Sequence, residues 1–283
     1  MLDVFAKDGI TTFEFDVRSG WKQSFLLMSD VHYDAVACRR STLRRHLEHA
    51  QAREAAILDI GDFFDAMQGR FDPRRDMEAV REEYRRNDYY DAILSDAVEF
   101  LKPYARRYLF VARGNHELSV LKNANTDLTE RLAERLRDGE GKVVVGGYAG
   151  WMRVVVKEQG YRRGVVVIQY RHGLGAGAPV TRGVIETNRQ AVYLDGIDVV
   201  WNGHNHQAYM LPIVRDRMLA SGRVRSVLVW FLRTPGYKDE WHVEPSGYVS
   251  RKGMGPTPLG SIWLNMSLVN HTLRWNVEPL LEA

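Results

Sequence analysis

The chain of 283 residues lacks several features that would place it in a specialised class of protein. It has a single cysteine, Cys38, which excludes both a disulfide framework and a cysteine-rich zinc site. No apolar run approaches the roughly 18 residues that a membrane-spanning helix requires, and the first residues lack the apolar core of a secretory signal. The formal charge of +3 is too small to predict general binding to polyanions. These absences favour a cytoplasmic globular protein without a membrane partner.

Short apolar runs alternate with longer amphipathic segments, which is typical of an α/β protein. Strands separated by helices in the first half predict parallel pairing, whereas the later strands predict a mixed or antiparallel sheet. We expect two stacked sheets flanked by helices, formed by residues 1–283 as one domain, with strands between 209 and 277 completing the second sheet. The predicted strands are 11–17, 23–28, 55–60, 108–112, 142–145, 152–157, 164–170, 197–201, 209–214, 225–232, 261–268 and 272–277, and the predicted helices are 39–53, 74–101, 127–137 and 184–193.

A helical insertion is expected at about 70–102. Its arginines and acids are nearly balanced in number, which fits a solvated helix with pairs along one face. Three tyrosines, Tyr84, Tyr89 and Tyr90, would offer a surface for a partner. The position of this segment between two polar motifs would let it overhang a site.

Polar side chains follow five of the predicted strands at the point where each strand ends. The five groups are Asp30-Val31-His32, Gly61-Asp62-Phe63-Phe64-Asp65, Gly114-Asn115-His116-Glu117, His172-Gly173 and Gly203-His204-Asn205-His206. The carboxyl ends of parallel strands form the edge of a sheet where ligands bind, so we expect these groups to meet in space. The glycines before Asp62, Asn115 and His204 fit sharp turns that aim the next side chain.

The chemistry of these side chains indicates a metal centre. Carboxylate, amide and imidazole groups suit Mn, Fe or Zn, and the absence of thiolates disfavours a structural zinc site. Such a large set exceeds the needs of one ion and fits two ions about 3.5–4 Å apart that share a carboxylate. Two ions in that arrangement can hold a hydroxide and two oxygens of one phosphoryl group. The pattern therefore indicates hydrolysis of a phosphate ester.

The ordered set of five groups resembles the calcineurin-like metallophosphoesterase family. All the groups occur in the family order between residues 30 and 206. The resemblance implies a four-layer α/β/β/α sandwich of two mixed sheets flanked by helices. It also implies two divalent metal ions, with Mn as the first expectation and Fe or Zn as alternatives. The implied reaction is hydrolysis of a phosphodiester by a hydroxide that bridges the two ions.

The resemblance assigns a role to each site residue. One ion would be held by Asp30, His32, Asp62 and His206, and the other by Asp62, Asn115, His172 and His204, so that Asp62 bridges the pair. His116 would contact the phosphate and protonate the leaving oxygen as a general acid. Asp65 would orient this histidine.

The substrate is less directly indicated. Ala66 stands where the protein phosphatase branch of the family has an arginine, which argues against a phosphoprotein substrate. The block from Gly61 to Asp65 looks more like the nuclease branch and phage-encoded members. The stretch from Arg215 to Lys252 is basic with interleaved aromatics, which is typical of a nucleic-acid surface unless those aromatics belong to the core. We therefore expect a nuclease acting on DNA or RNA.

Two alternatives stay open at this point. The substrate could be a cyclic nucleotide or another small phosphoester. Alternatively, the fold could serve as a non-catalytic scaffold, although such proteins usually lose some ligands and here none is replaced.

Overall fold

A computed structural model describes residues 1–66, 76–137, 142–173, 181, 183–243, 253 and 255–282. Within these residues the chain forms two β-sheets with α-helices on their outer faces. The strands are β1 (Leu2–Lys7), β2 (Ile10–Val17), β3 (Lys22–Met28), β4 (Ala56–Asp59), β5 (Tyr108–Ala112), β6 (Val144–Gly146), β7 (Ala149–Glu158), β8 (Tyr161–Arg171), β9 (Val199–Asn202), β10 (Tyr209–Met218), β11 (Val224–Arg233), β12 (Leu259–Val269) and β13 (Thr272–Glu282). The α-helices are α1 (Arg40–Ala52), α2 (Tyr89–Leu101), α3 (Asn115–Ala124), α4 (Leu128–Arg137), α5 (Val184–Tyr193) and α6 (Glu240–Val243), and short 3₁₀ helices span Glu82–Tyr84 and Lys102–Arg107.

The first sheet has six strands in the order β13-β12-β3-β4-β5-β6. Strands β3, β4, β5 and β6 run parallel, and β12 and β13 add antiparallel pairs at one side. Every side chain of β4 and β5 is buried, as expected for parallel strands that are covered on both faces. The first polar loops after these strands therefore fall at the edge of the sheet.

The second sheet has seven strands in the order β1-β2-β7-β8-β9-β11-β10. Strands β8, β9 and β11 are parallel, and β10 is an antiparallel edge strand paired with β11. The expectation that all strands from 209 to 277 complete the second sheet is wrong for β12 and β13, which join the first. Their apolar side chains would suit either sheet, and the antiparallel pairing of β12 with β3 decides their place, for example Ile262 opposite Leu27.

The apolar side chains form three buried clusters that separate the layers. The space between the two sheets is filled by a cluster that includes Phe13, Phe25, Leu58, Ile168 and Trp201. On the outer face of the first sheet, Leu47 of α1, Ile93 of α2 and Leu132 of α4 share a second cluster. Helix α5 lies over Val200 and Phe231 on the outer face of the second sheet. The expected four-layer α/β/β/α sandwich is therefore confirmed.

The insertion differs from its expected form. The helix expected over 74–101 begins only at Tyr89, and residues 67–75 lie outside the described part of the chain. The chain before α2 is anchored by the buried side chains of Val80 and Tyr84, because tertiary burial overrides helix propensity here. The rings of Tyr84 and Tyr89 are buried and offer no partner surface. Across the described ranges, no helix has the length and apolar character needed to cross a membrane.

Candidate metal centre

Five strand ends meet at one edge of the sandwich, which we call the metal edge. Strands β3, β4 and β5 are parallel neighbours in one sheet, and β8 and β9 are parallel neighbours in the other. Main-chain hydrogen bonds join the loops: the amide of Asp30 donates to the carbonyl of Gly61 at 2.9 Å. The structure brings together all the predicted site residues, which are Asp30, His32, Asp62, Asp65, Asn115, His116, His172, His204 and His206.

Asp30, His32 and His206 form a first group of ligand atoms. The Nε2 atom of His206 lies 3.7 Å from Oδ1 of Asp30 and 3.1 Å from Nε2 of His32. The Nδ1 atom of His32 donates to the carboxylate of Asp65 at 2.8 Å, which leaves Nε2 directed toward the group. The buried carboxylate of Asp30 accepts the amide of His204 at 2.9 Å. One carboxylate and two imidazoles thus converge as a divalent ion requires.

Asp62, His172 and His204 form a second group beside the first. The Nε2 atom of His172 lies 3.0 Å from Oδ2 of Asp62 and 3.7 Å from Oδ1 of Asp30, so its ring faces carboxylates of both groups. Its Nδ1 atom donates to a main-chain carbonyl at 3.1 Å, which leaves Nε2 available to a metal. The buried Oδ1 of Asn115 and Nδ1 of His204 have no hydrogen-bond partner among the described residues. Unpartnered buried polar atoms are costly, and the donor set therefore fits a bound divalent ion.

Most of these ligand side chains project from a left-handed backbone. The φ angles are +54° at Asp30, +49° at His32, +55° at Asp62, +76° at His204 and +52° at His206. Residues other than glycine rarely adopt this region because Cβ approaches the following carbonyl oxygen, and each instance costs about 1–3 kcal/mol. Strain of this kind clusters at active sites and ligand clamps.

Two glycines let the loops that carry Asp62 and Asn115 approach each other. A Cβ atom on Gly114 would lie 2.0 Å from Oδ1 of Asp62, and a Cβ atom on Gly61 would lie 2.3 Å from the amide nitrogen of Gly114. Gly61 also has a φ of +109°, which side chains disfavour. The expected sharp turn is present at Gly61, whereas Gly114 is required by close packing.

His116 lies beside the second group with its proton position defined. Its Nδ1 atom lies 2.5 Å from the main-chain carbonyl oxygen of Asp65, and its Nε2 atom faces Oδ2 of Asp62 at 3.7 Å. Because a carbonyl oxygen can only accept, Nδ1 carries a proton. Asp65 holds His116 through its main chain and His32 through its carboxylate. The resemblance implies that the carboxylate orients His116, but the main-chain oxygen of Asp65 takes this hydrogen bond because the carboxylate is engaged by His32 and lies 3.9 Å from Nδ1 of His116.

Burial and neighbouring charges act in opposite directions on these histidines. Burial lowers the pKa of His32 to about 4 despite its contact with Asp65. Burial also opposes charge on His172, but the carboxylates of Asp62 and Asp30 outweigh it and raise the pKa to about 10. The carboxylates of Asp62 and Asp65 outweigh burial in the same way and raise the pKa of His116. The metal edge therefore has a negative field that favours cations.

Two buried carboxylates to which the sequence pattern assigns no role hold the loop after β4. Glu117 accepts the main-chain N–H groups of Asp62 and Phe64, both at 3.0 Å. Asp34 accepts two further N–H groups of this loop and the hydroxyl of Tyr89, which ties the loop to α2. Glu117 is the third residue of α3, and a glutamate there is a capping signal that the sequence did contain. No comparable signal marks Asp34.

A late segment of the chain completes the surroundings of Asp30. The amide of Tyr237 donates to the carbonyl of Asp30 at 2.9 Å. The hydroxyl of Thr234 lies 2.5 Å from that of Ser29, which in turn donates to the carboxylate of Asp30. Gly236 packs so closely that a Cβ atom there would lie 2.6 Å from Cβ of Asp30. Residues far apart in sequence therefore fix one metal ligand.

The same late segment places a buried cation behind the first group. Lys238 is 8% exposed, and its Nζ atom lies 2.9 Å from Oδ1 of Asp65 and 3.1 Å from Oε1 of Glu240. Burial alone would raise the pKa of Asp65, but Lys238 and His32 outweigh it and hold the pKa well below its usual range. Asp65 is therefore a carboxylate shared between a lysine and a predicted metal ligand.

The positive side chains between Arg215 and Lys252 do not form one basic surface in the described residues, and Lys238 among them is buried at the metal edge against Asp65. Arg233 is buried against Glu186, and the rings of Trp230 and Tyr237 pack in core clusters. Other arginines lie on the β10–β11 hairpin. Its cross-strand residue pairs extend from Tyr209 and Arg233, next to β9, to Arg217 and Arg225, near the turn. At strand spacing these two pairs are about 26 Å apart. Residues 244–252 lie outside the described ranges.

Comparison with known proteins agrees with this geometry. The sequence profile of the calcineurin-like phosphoesterases matches residues 24–208. No curated relative matches the chain. A solved metallophosphoesterase from Sphaerobacter thermophilus is 13% identical with a TM-score of 0.36, and the match covers 90% of this chain and 88% of that one.

Two further solved structures have lower TM-scores. A predicted phosphoesterase from Streptococcus pneumoniae is 9% identical with a TM-score of 0.32, over 91% of this chain and 99% of that one. A protein from Thermotoga maritima is 15% identical with a TM-score of 0.32, over 91% and 99%. The family is shown by the profile match. Since that match spans more than half of the chain, the protein belongs to the calcineurin-like phosphoesterase family and is a hydrolase of phosphoester bonds.

Proposed function

We propose that the protein hydrolyses phosphodiester bonds at a two-metal centre and that its substrate is nucleic acid. The observation that carries the proposal is the pair of adjacent ligand groups at the metal edge, Asp30–His32–His206 and Asp62–His172–His204. His172 lies near the carboxylates of both Asp30 and Asp62, which supports a carboxylate shared between two ions. These donors suit Mn²⁺, with Fe or Zn as alternatives.

The chain's own residues supply positioning and proton transfer. When bound, two divalent ions would lower the pKa of water to near neutrality and neutralise charge on the phosphoryl oxygens. His116 keeps one proton on Nδ1 through the carbonyl of Asp65, and although burial opposes charge, the carboxylates of Asp62 and Asp65 raise its pKa, which favours protonation of Nε2. Nε2 faces the metal edge, where in the protonated ring it can pass a proton to the leaving oxygen. Asp65, held by Lys238, keeps His32 and His116 in place.

A diester fits the charges of the site better than a monoester. A phosphomonoester dianion carries one more charge than a diester and is usually clamped by arginine. Among the described residues, Arg113 is engaged by Asp127 and by the carbonyl of Gly146, and Arg233 is paired with Glu186. Each of these two arginines therefore already has a carboxylate partner.

The likeness of the Gly61–Asp65 block to nucleases of the family supports nucleic acid as the diester substrate. One observation favours a second candidate, a cyclic nucleotide: Arg217 and Arg225 lie near the turn of the β10–β11 hairpin, away from the metal edge. A small diester needs no extended basic surface, whereas a long strand usually does. Both candidates share the same hydrolytic step.

The first test is hydrolysis of bis-p-nitrophenyl phosphate with Mn²⁺. We expect turnover that EDTA abolishes, and we expect Asp62→Asn to remove it because a neutral amide would hold divalent cations much less tightly than a carboxylate. Asp3→Asn, which alters an exposed carboxylate on β1, is the matched control. Undiminished turnover in Asp62→Asn, or fewer than one metal ion per wild-type chain by elemental analysis, would contradict the proposal.

The second test distinguishes the candidate substrates, and a variant of His116 tests its role as the general acid. Single- and double-stranded DNA, RNA and a cyclic nucleotide are each incubated with the protein and Mn²⁺. Cleavage of the cyclic nucleotide alone would identify a small-molecule phosphodiesterase and not a nuclease.

His116→Gln should slow cleavage of a dinucleotide by about 10²–10⁴-fold, as expected for loss of a general acid. The loss of rate should be smaller with bis-p-nitrophenyl phosphate, because its leaving group, p-nitrophenolate, departs without a proton. Equal losses on both substrates would exclude the acid role.

A further inference from the structure

Strands β10 and β11 continue as a two-stranded ribbon beyond the rest of the second sheet. Strand β9 pairs with only the last four residues of β11, whereas β10 and β11 stay paired as far as Met218 and Val224. The part of β11 that pairs with β10 alone is about 17 Å long at strand spacing. Every residue from 216 to 226 is exposed. We call residues 214–228 the ribbon.

One face of the ribbon carries large apolar side chains in two cross-strand pairs. Val214 is 64% exposed and lies opposite Leu228, which is 42% exposed. Met218 is 74% exposed and lies opposite Val224, which is 62% exposed. Nearer the metal edge the same face packs between the two sheets, whereas here it is open to solvent. Contiguous apolar side chains in water mark a surface that contacts a partner.

The opposite face of the ribbon is basic. Arg217 and Arg225 lie directly opposite each other on the two strands, and like charges in that position destabilise a pair of strands. The exposed carboxylate of Asp195 lies 3.9 Å from Arg217, which is a weak pair in water. Arg223 follows in the turn, and residues 214–228 contain four arginines and one acid. The ribbon is therefore short of negative charge.

An anionic lipid surface is the partner that accounts for both faces. A second copy of the chain packed on the apolar face would leave the arginines unbalanced. A nucleic acid would balance the arginines but leave the apolar side chains in water. A lipid layer presents phosphates directly beside acyl chains, so it can meet both sets of side chains at once. The long stem of arginine lets its charged end reach the level of the phosphates.

We propose that the ribbon binds the surface of membranes that contain anionic lipids. Its apolar face enters the boundary between headgroups and acyl chains, and Arg217, Arg223 and Arg225 contact lipid phosphates. Such a contact requires no spanning segment, and it departs from the expectation, drawn from the sequence, of a protein without a membrane partner. Because β11 ends at the metal edge and begins in the ribbon, the site stays open to substrate on the side away from the bilayer.

Co-sedimentation of the full chain with lipid vesicles tests the arginines. We expect binding to vesicles of equal parts phosphatidylcholine and phosphatidylglycerol, weaker binding at high salt, and little binding to phosphatidylcholine alone. Each arginine near an anionic surface contributes about five-fold, so Arg223→Gln/Arg225→Gln should weaken binding by about 30-fold. Lys122→Gln/Arg135→Gln removes two exposed charges from α3 and α4 and should bind as wild type does.

A second variant tests the apolar face. Met218→Ser/Val224→Ser removes the outermost apolar pair and should weaken binding to the same vesicles by about ten-fold or more. Ile185→Ser, which removes an exposed apolar side chain from the start of α5, is the matched control. Absence of binding to the anionic vesicles, or binding that neither pair of ribbon substitutions weakens, would overturn the inference.

The same variants distinguish the other partners. Binding of a DNA or RNA oligonucleotide that depends on Arg223 and Arg225 but not on Met218 and Val224, without vesicle binding, would assign the ribbon to nucleic acid. Dimers seen by analytical ultracentrifugation that Met218→Ser/Val224→Ser dissociates, again without vesicle binding, would assign the apolar face to a second copy. Either result would overturn the membrane contact.

Discussion

Replacing Lys238 by methionine would test how the structure holds the carboxylates behind the metal edge. Methionine retains much of the apolar stem but removes the charge that lies 2.9 Å from Asp65 and 3.1 Å from Glu240. Removing one partner of a buried ion pair costs about 3–5 kcal/mol. Because Asp65 keeps its bond from His32, we expect the lower end, about 3 kcal/mol of unfolding free energy. At about 2–4 °C per kcal/mol, the melting temperature should fall by about 6–12 °C.

Guanidinium unfolding followed by circular dichroism measures this loss, with Lys7→Met on the exposed part of β1 as the control. The double variant Lys238→Met/Glu240→Gln should be less destabilised than the sum of the two single variants, because it removes a cation together with one of its carboxylates. A loss below about 1 kcal/mol in Lys238→Met, or strict additivity in the double variant, would refute the pairing described here.

Three further expectations concern packing, protonation and metal. Gly114→Ala should weaken metal binding and lower the melting temperature, because its Cβ atom would lie 2.0 Å from Oδ1 of Asp62. Gly147→Ala is the control and should behave as wild type, because the nearest atom to its Cβ would be 3.7 Å away. Equal losses in the two variants would contradict this prediction. Burial lowers the pKa of His46 from 6.5 to about 4, so the unfolded chain takes up the proton first. Stability should therefore fall as pH drops from 6.5 toward 4, and urea titrations of His46→Gln should show a flatter slope. Mn²⁺ at about 100 times its Kd should stabilise the chain by about 2.7 kcal/mol, an effect that EDTA reverses and that Asp62→Asn should largely lack.

The convergence of the site could be predicted from the sequence because its cause is local and repetitive. Each buried strand ends where its apolar run stops, and parallel pairing then brings the following loops to one edge. Asp62 after β4 and Asn115 after β5 needed only this reasoning to be placed together, whereas the place of His204 after β9 also depends on how the second sheet stacks on the first. The four-layer arrangement follows from the same alternation of strands and helices.

Other features depend on contacts that no spacing encodes. Lys238 lies far along the chain from Asp65, and only the packing of the late segment against the Asp30 loop joins them. The boundary of α2 depends on the burial of Val80 and Tyr84, which overrides a favourable charge pattern. Strands β12 and β13 are amphipathic enough for either sheet, so their place follows from the edge that β3 leaves open.

The hydrogen bond from Tyr237 to Asp30 has a consequence for how the protein is made. During synthesis, a chain that has emerged as far as residue 208 already contains every predicted ligand and the whole family match. It still lacks Thr234, Tyr237 and Lys238, which fix the loop of Asp30 and the carboxylate of Asp65. Contacts between such distant parts of a chain form late in folding. The nascent protein therefore has its full set of predicted ligands before the contacts that fix Asp30 and Asp65 can form, and ordering of the site becomes one of the last events of its assembly.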